Sequence, residues 1–135
     1  MTRDEIYREI EEEFGLVPTF LKAVPDTVLE QDWLTMKALD MQEGLLSLKV
    51  KHLIGLGVAA AIKCRYCTLY HHEMAKLFGA TDHELHEALR YAMSATGWST
   101  FLNGLELDWD EFKREMEQIK DYVVRRMETV ETVAI

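Results

Sequence analysis

Residues 47–80 read "SLKVKHLIGLGVAAAIKCRYCTLYHHEMAKLFGA", and their periodicity decides the fold class. Ser47 is a good helix N-cap, and the residues after it show no strand-like alternation. The second half of this first helix is apolar on most sides, which predicts a central position. Gly55 and Gly57 each disfavour a helix interior by about 1 kcal/mol relative to alanine, so they predict close packing against a neighbouring helix. The alanines at 59–61 fit the same expectation. The helix is expected to stop near Lys63, with a new one beginning inside the C-x-x-C stretch and closing at Gly79, a favoured residue just past a helix end.

That second helix carries the chemistry. Cys64 and Cys67 are the only cysteines in the chain, and His71 follows four residues later. Offsets of three and four stack side chains on one helix face, so both sulfurs and one imidazole share a side. His72 is rotated by about 100° onto a neighbouring face. Cysteines in a first helical turn meet free backbone N–H groups and the helix dipole, and both favour thiolate. Three readings follow. A redox dithiol with His71 handling a proton is the first, and Cys67 is then the sulfur that His71 serves, with Cys64 at the more exposed end. A metal-binding or redox-sensing module is the second, with Cys64, Cys67, His71 and His52 as ligands, although a second C-x-x-C or an H-x-x-x-H pair is lacking. Two buried small apolar residues beside a surface histidine is the third.

Outward from this stretch the chain reads as helix almost throughout. Thr2 and Glu5 form a capping box for an N-terminal helix over 2–14, closed by Gly15. Residues 16–26 read as a short helical segment started by Pro18 and closed before Pro25. Asp26 is the expected N-cap of a helix to about Gln42, and Gly44 breaks it. Thr81 with Glu84 caps a long helix to Gly104. A last helix is expected over 108–127, with Trp109, Phe112, Met116, Ile119 and Val123 as its apolar stripe and a frayed tail after it. The expected architecture is an all-α bundle of about six helices in one domain, 1–135, with its motif core at about 26–104.

Composition sets outer limits. The 135 residues include 24 acidic and 15 basic side chains, for a net charge of −9. That balance argues against nucleic acid and against anionic membrane surfaces. The longest apolar run, 53–62, is too short to cross a bilayer, and no secretory leader is visible. A cytoplasmic protein is expected. In a reducing compartment a C-x-x-C pair points to redox or metal chemistry rather than a structural bridge. Trp33, Trp98 and Trp109 are expected in the core or between subunits, and Tyr66 and Tyr70 beside the dithiol.

The text "LSLKVKHLIGLGVAAAIKCRYCTLYHHEMAKLFGATDHELHEAL", residues 46–89, resembles the carboxymuconolactone decarboxylase superfamily on its alkyl hydroperoxidase D-like side. The shared features are the Leu-Ser-x-Lys start, the small-residue helix, C-x-x-C-x-x-x-H, and "GATDHELHEAL". The resemblance implies an all-helical fold assembling as a homo-oligomer, with trimers and hexamers both known. It implies disulfide or peroxide reduction through Cys64 and Cys67, with His71 as the proton relay, no cofactor, and a reducing thiol protein or small dithiol as partner; a decarboxylase-type lyase is the lesser alternative, since that branch does not rest on the cysteine pair and no Arg cluster near the motif suggests an anionic lactone. Members usually carry a glutamate twelve residues before the first cysteine. His52 stands there in this chain, and an imidazole can pass a proton without supplying a permanent negative charge.

Overall fold

A computed structural model describes residues 1–134. Seven α-helices run in order: α1 (Arg3–Phe14), α2 (Thr19–Lys22), α3 (Asp26–Met36), α4 (Leu48–Ala61), α5 (Arg65–Leu77), α6 (Asp82–Gly104) and α7 (Trp109–Val133). A π-helical segment, Lys37–Met41, extends α3. No strand occurs among the described residues, so the all-α expectation holds, with the four-residue α2 adding to the helix count. The chain forms two compact units, one from Met1 to Ala92 and one from Met93 onward.

In the first unit, α1 begins with the expected capping box: Thr2 accepts from the Glu5 N–H, and the Glu5 side chain accepts from Thr2. Its apolar face, Ile6 and Ile10, is buried with Val17, Leu21, Leu29 and Trp33. Phe14 meets Trp33 edge to face at 5.4 Å. Asp26 is not the N-cap of α3. Pro25 occupies that position and makes no side-chain cap, because its fixed φ already suits the entry. Asp26 becomes the first helical residue and pairs with Arg3. Lys37 pairs with Glu9 and Glu13 and so ties the π segment to α1.

α4 starts where Ser47 Oγ accepts the Val50 N–H at 3.2 Å. Leu56 on α4 is buried with Ala75 on α5, with Ala80, and with Leu85 on α6. Lys49 reaches Glu84 at 2.9 Å and fixes α4 to the first turn of α6. These contacts set α4 and α5 side by side.

The second unit holds the remainder of α6 and α7. Helix α7 continues past 127 to Val133, where fraying was expected. Thr129 and Thr132 hydroxyls bond back to the carbonyls of Arg125 and Glu128, and Ala134 N–H closes the end on Val130 O. The end of that tail, residue 135, lies outside the described residues. No α7 residue is buried. Trp98 and Trp109 are exposed, and only Trp33 is a core tryptophan. No described helix is long and apolar enough to cross a membrane.

Candidate active site

Cys64 is the N-cap of α5. An N-cap side chain normally offers oxygen to the N–H two or three residues on. Here sulfur takes that part, and Cys64 Sγ accepts the Cys67 N–H at 3.3 Å. Capping therefore brings the two sulfurs together, because the third residue of the helix is itself cysteine. Both thiols are free. A hydrogen bond from the Cys67 thiol, then the N–H groups of Cys67 and Tyr66, hold Cys64 below the ordinary thiol range. Donating that bond pushes Cys67 up. The pair is asymmetric: Cys64 is the sulfur that gives up its proton more readily, and Cys67 is the one that keeps it.

Exposure runs opposite to expectation. Cys64 is half-buried and Cys67 is exposed. The N-cap position explains this, since the backbone turns in at Cys64 while Cys67 lies one turn along the outer side. Cys64 nonetheless opens on a cleft of about 470 Å³, bounded by Ala60, Lys63, Arg65, Thr68, Leu69 and His72.

The two histidines form a second pair. His52, on α4, is completely buried; an exposed helix-face position is thereby ruled out. Its Nδ1 lies 3.0 Å from His71 Nδ1, and its Nε2 lies 2.9 Å from Asp40 O. A carbonyl only accepts, so Nε2 of His52 carries hydrogen. In neutral His52, Nδ1 is then bare and accepts from His71 Nδ1–H. The consequence is that His71 Nε2 holds a free lone pair. Among the described residues no hydrogen bond joins His71 to either sulfur; Cys67 and His71 are related only by the helical turn between them.

Asp40 and Phe78 carry no sequence signal for this site, and for Tyr70 and Gly55 the sequence marks the position but not the partner. Asp40 sits in the π segment, where the end of a helix leaves carbonyls without intrahelical partners. His52 satisfies one of them. Tyr70 OH donates to the Asp40 carboxylate over a long 3.5 Å. Burial first, then the Asp40 charge, pushes the Tyr70 phenol far above its usual range, so it stays protonated. Phe78 stacks on His52 with ring centroids 5.4 Å apart. The His71 ring lies directly over Gly55, where an added Cβ would meet Cε1 and Nδ1 at 2.5 Å. None of these pairings has a sequence period that would reveal it.

Burial, then the neighbouring His52, push His71 below the ordinary imidazole range, with Asp40 opposing weakly. His71 is therefore a neutral base. A carboxylate at position 52 would reverse the sign, because negative charge favours imidazolium. NMR titration of His52→Glu should move the His71 midpoint upward from its depressed wild-type position. That variant loses the donor to Asp40 O, so His52→Gln is the companion: its amide can donate to Asp40 and accept from His71, and it should stay folded. An unmoved His71 midpoint in folded His52→Glu would exclude His52 as the Nδ1 partner.

The four residues thus assemble as two pairs rather than one ligand set. Among the described residues no group of three or more His, Cys, Asp or Glu side chains is placed to hold a metal ion. The two Nδ1 atoms nearest each other are already engaged.

The model of the carboxymuconolactone decarboxylase family matches residues 28–108, more than half of the chain. The fold is similar to the crystal structure of the alkylhydroperoxidase AhpD core from Rhodospirillum rubrum, with a TM-score of 0.70 and 23% identity over 80% of this chain and 82% of that one. No curated protein matches.

Proposed function

The chain belongs to the carboxymuconolactone decarboxylase family, and we propose that within it the protein is a dithiol oxidoreductase that reduces disulfides and, second, hydroperoxides. The observation that carries this reading is the N-cap geometry: Cys64 Sγ receives the Cys67 N–H at 3.3 Å and opens on a cleft. A thiolate held beside a thiol has both halves of a two-electron exchange.

In the proposed reaction the Cys64 thiolate attacks one sulfur of a disulfide R–S–S–R. A mixed disulfide forms and RS⁻ leaves. Cys67 gives its proton to His71 Nε2 and attacks the Cys64 sulfur. The Cys64–Cys67 disulfide forms and the second RS⁻ departs. A dithiol, carried by a protein or a small molecule, returns the two electrons. With a hydroperoxide, Cys64 takes the distal oxygen as sulfenic acid and releases alcohol; Cys67 then displaces water.

The test needs protein purified anaerobically. Thiol titration should give two thiols per chain, and one equivalent of disulfide or peroxide should remove both together with stoichiometric substrate thiol or alcohol released. Loss of one thiol only, or about one bound metal per chain that blocks both, would overturn the reading in favour of a sensing or metal-binding module.

A further inference from the structure

We infer that the Cys64 cleft selects disulfides carrying carboxylates close to the sulfur–sulfur bond, an inference that rests on the dithiol reading above. Lys63 and Arg65 bracket Cys64 in sequence and both line the cleft. Among the described residues neither pairs with a carboxylate. The third titratable wall residue, His72, faces Glu73 at 3.6 Å. Two uncommitted cations therefore stand beside the attacking sulfur in a chain whose net charge is −9. Such a chain repels anions in general, so these cations mark one local point of attraction. The rest of the cleft wall is Ala60, Leu69 and Thr68, and the Thr68 hydroxyl is occupied by Cys64 O at 2.7 Å. Short apolar arms ending in carboxylate match that surface.

The backbone at Lys63 adds to this. Its φ is 61°, in the left-handed region, one residue before Cys64 and just past the end of α4. That position ordinarily takes glycine, which enters the region without strain. A lysine there carries a conformational cost that closing the turn does not require.

Both cations also bear on the thiolate, so rates with a single substrate would not separate binding from activation. A matched series does: 3,3′-dithiodipropionate, bis(2-hydroxyethyl) disulfide and cystamine share one two-carbon arm and differ in charge. Each kcat/KM, with dithiothreitol regenerating the enzyme, is divided by the rate of the same disulfide with dithiothreitol alone, which removes leaving-group effects. The normalised ratio of the dianion to the neutral disulfide should be about three- to tenfold at low salt, as expected for two solvent-exposed ion pairs. It should fall towards one at about 1 M salt, where the screening length is only ~3 Å. The dication should fall below the neutral compound. In Lys63→Glu/Arg65→Glu the order should invert. Lys63→Gly should lose part of the ratio while melting no lower than wild type, since the turn relaxes.

Equal normalised rates for all three, with each still consuming both thiols, would overturn this inference and leave the dithiol reading standing. Failure to reduce any of them would sink the dithiol reading itself. A ratio that survives Lys63→Glu/Arg65→Glu would also overturn the inference.

Discussion

Cys64→Ser should abolish multiple-turnover disulfide reduction, by about 10³-fold or more, as expected when a nucleophile is removed from a unit that acts together. Cys67→Ser should lose steady-state turnover to a similar extent, but for a different reason, and single-turnover experiments tell the two apart. In Cys67→Ser the thiolate at position 64 still attacks. The serine hydroxyl and the backbone N–H of residue 67 can still donate to it, so attack persists, and without a resolving sulfur the product is trapped. Mass spectrometry should find one substrate half per chain, on Cys64. In Cys64→Ser the remaining thiol is exposed but lies outside the cleft, so it should form adduct only at the rate of an ordinary surface thiol, more slowly than Cys64 does in Cys67→Ser. The mirror-image result, with adduct on Cys67 in Cys64→Ser and none on Cys64 in Cys67→Ser, would reverse the order of attack. Sequence spacing alone left that order open, because dipole and imidazole favour different sulfurs. The N-cap hydrogen bond favours Cys64.

The legible and illegible parts of this molecule divide along a physical line. Local backbone chemistry was legible. Thr2 with Glu5, Ser47, and Thr81 with Glu84 all act as caps where the sequence places them, since a cap is satisfied within a few residues, whereas Asp26 yields its place to Pro25. The C-x-x-C-x-x-x-H spacing likewise put its three residues along one helix. Partnership across helices was not legible. Period predicts which face of α7 is apolar, but not what covers it, and within the chain that face stays exposed: Ile119 and Met127 are 53% and 61% accessible. His52 is readable as a departure from a family pattern, yet its burial and its bond to Asp40 arise because a π segment presents a spare carbonyl twelve residues before it. The relative exposure of the cysteines differs from the sequence expectation for a related reason. Being first in a helix suggested an outer position, whereas the capping geometry folds Cys64 inward. The small residues of α4 were legible as a sign of close approach, and only the structure shows that one of them faces a reacting group.

That residue gives the second large effect. Gly55→Ala should lower turnover by about 10²-fold, the scale expected when a catalytic group is displaced by about 1 Å, while the protein stays cooperatively folded. The new Cβ would lie 2.5 Å from His71 Cε1 and Nδ1 and 2.7 Å from Nε2, well inside van der Waals contact. Either the ring swings aside and breaks its 3.0 Å contact with His52, or α4 and α5 part and disturb Leu56 against Ala75. Overpacking of this kind costs about 1–3 kcal/mol, against a helix-propensity gain of about 1 kcal/mol for replacing glycine, so the net change in stability is small to moderate. Gly57→Ala is the internal control. Its Cβ would meet Ala92 Cβ at 3.4 Å, an ordinary contact, so it should keep full turnover and melt at or above the wild-type temperature. A His71 ring that has swung into solvent also loses the burial that depresses its pKa, so its NMR midpoint should rise in Gly55→Ala and stay put in Gly57→Ala. If Gly55→Ala is fully active with an unmoved His71 midpoint, then the imidazole over Gly55 is not the base that serves Cys67, and the proton of the resolving thiol leaves by another route.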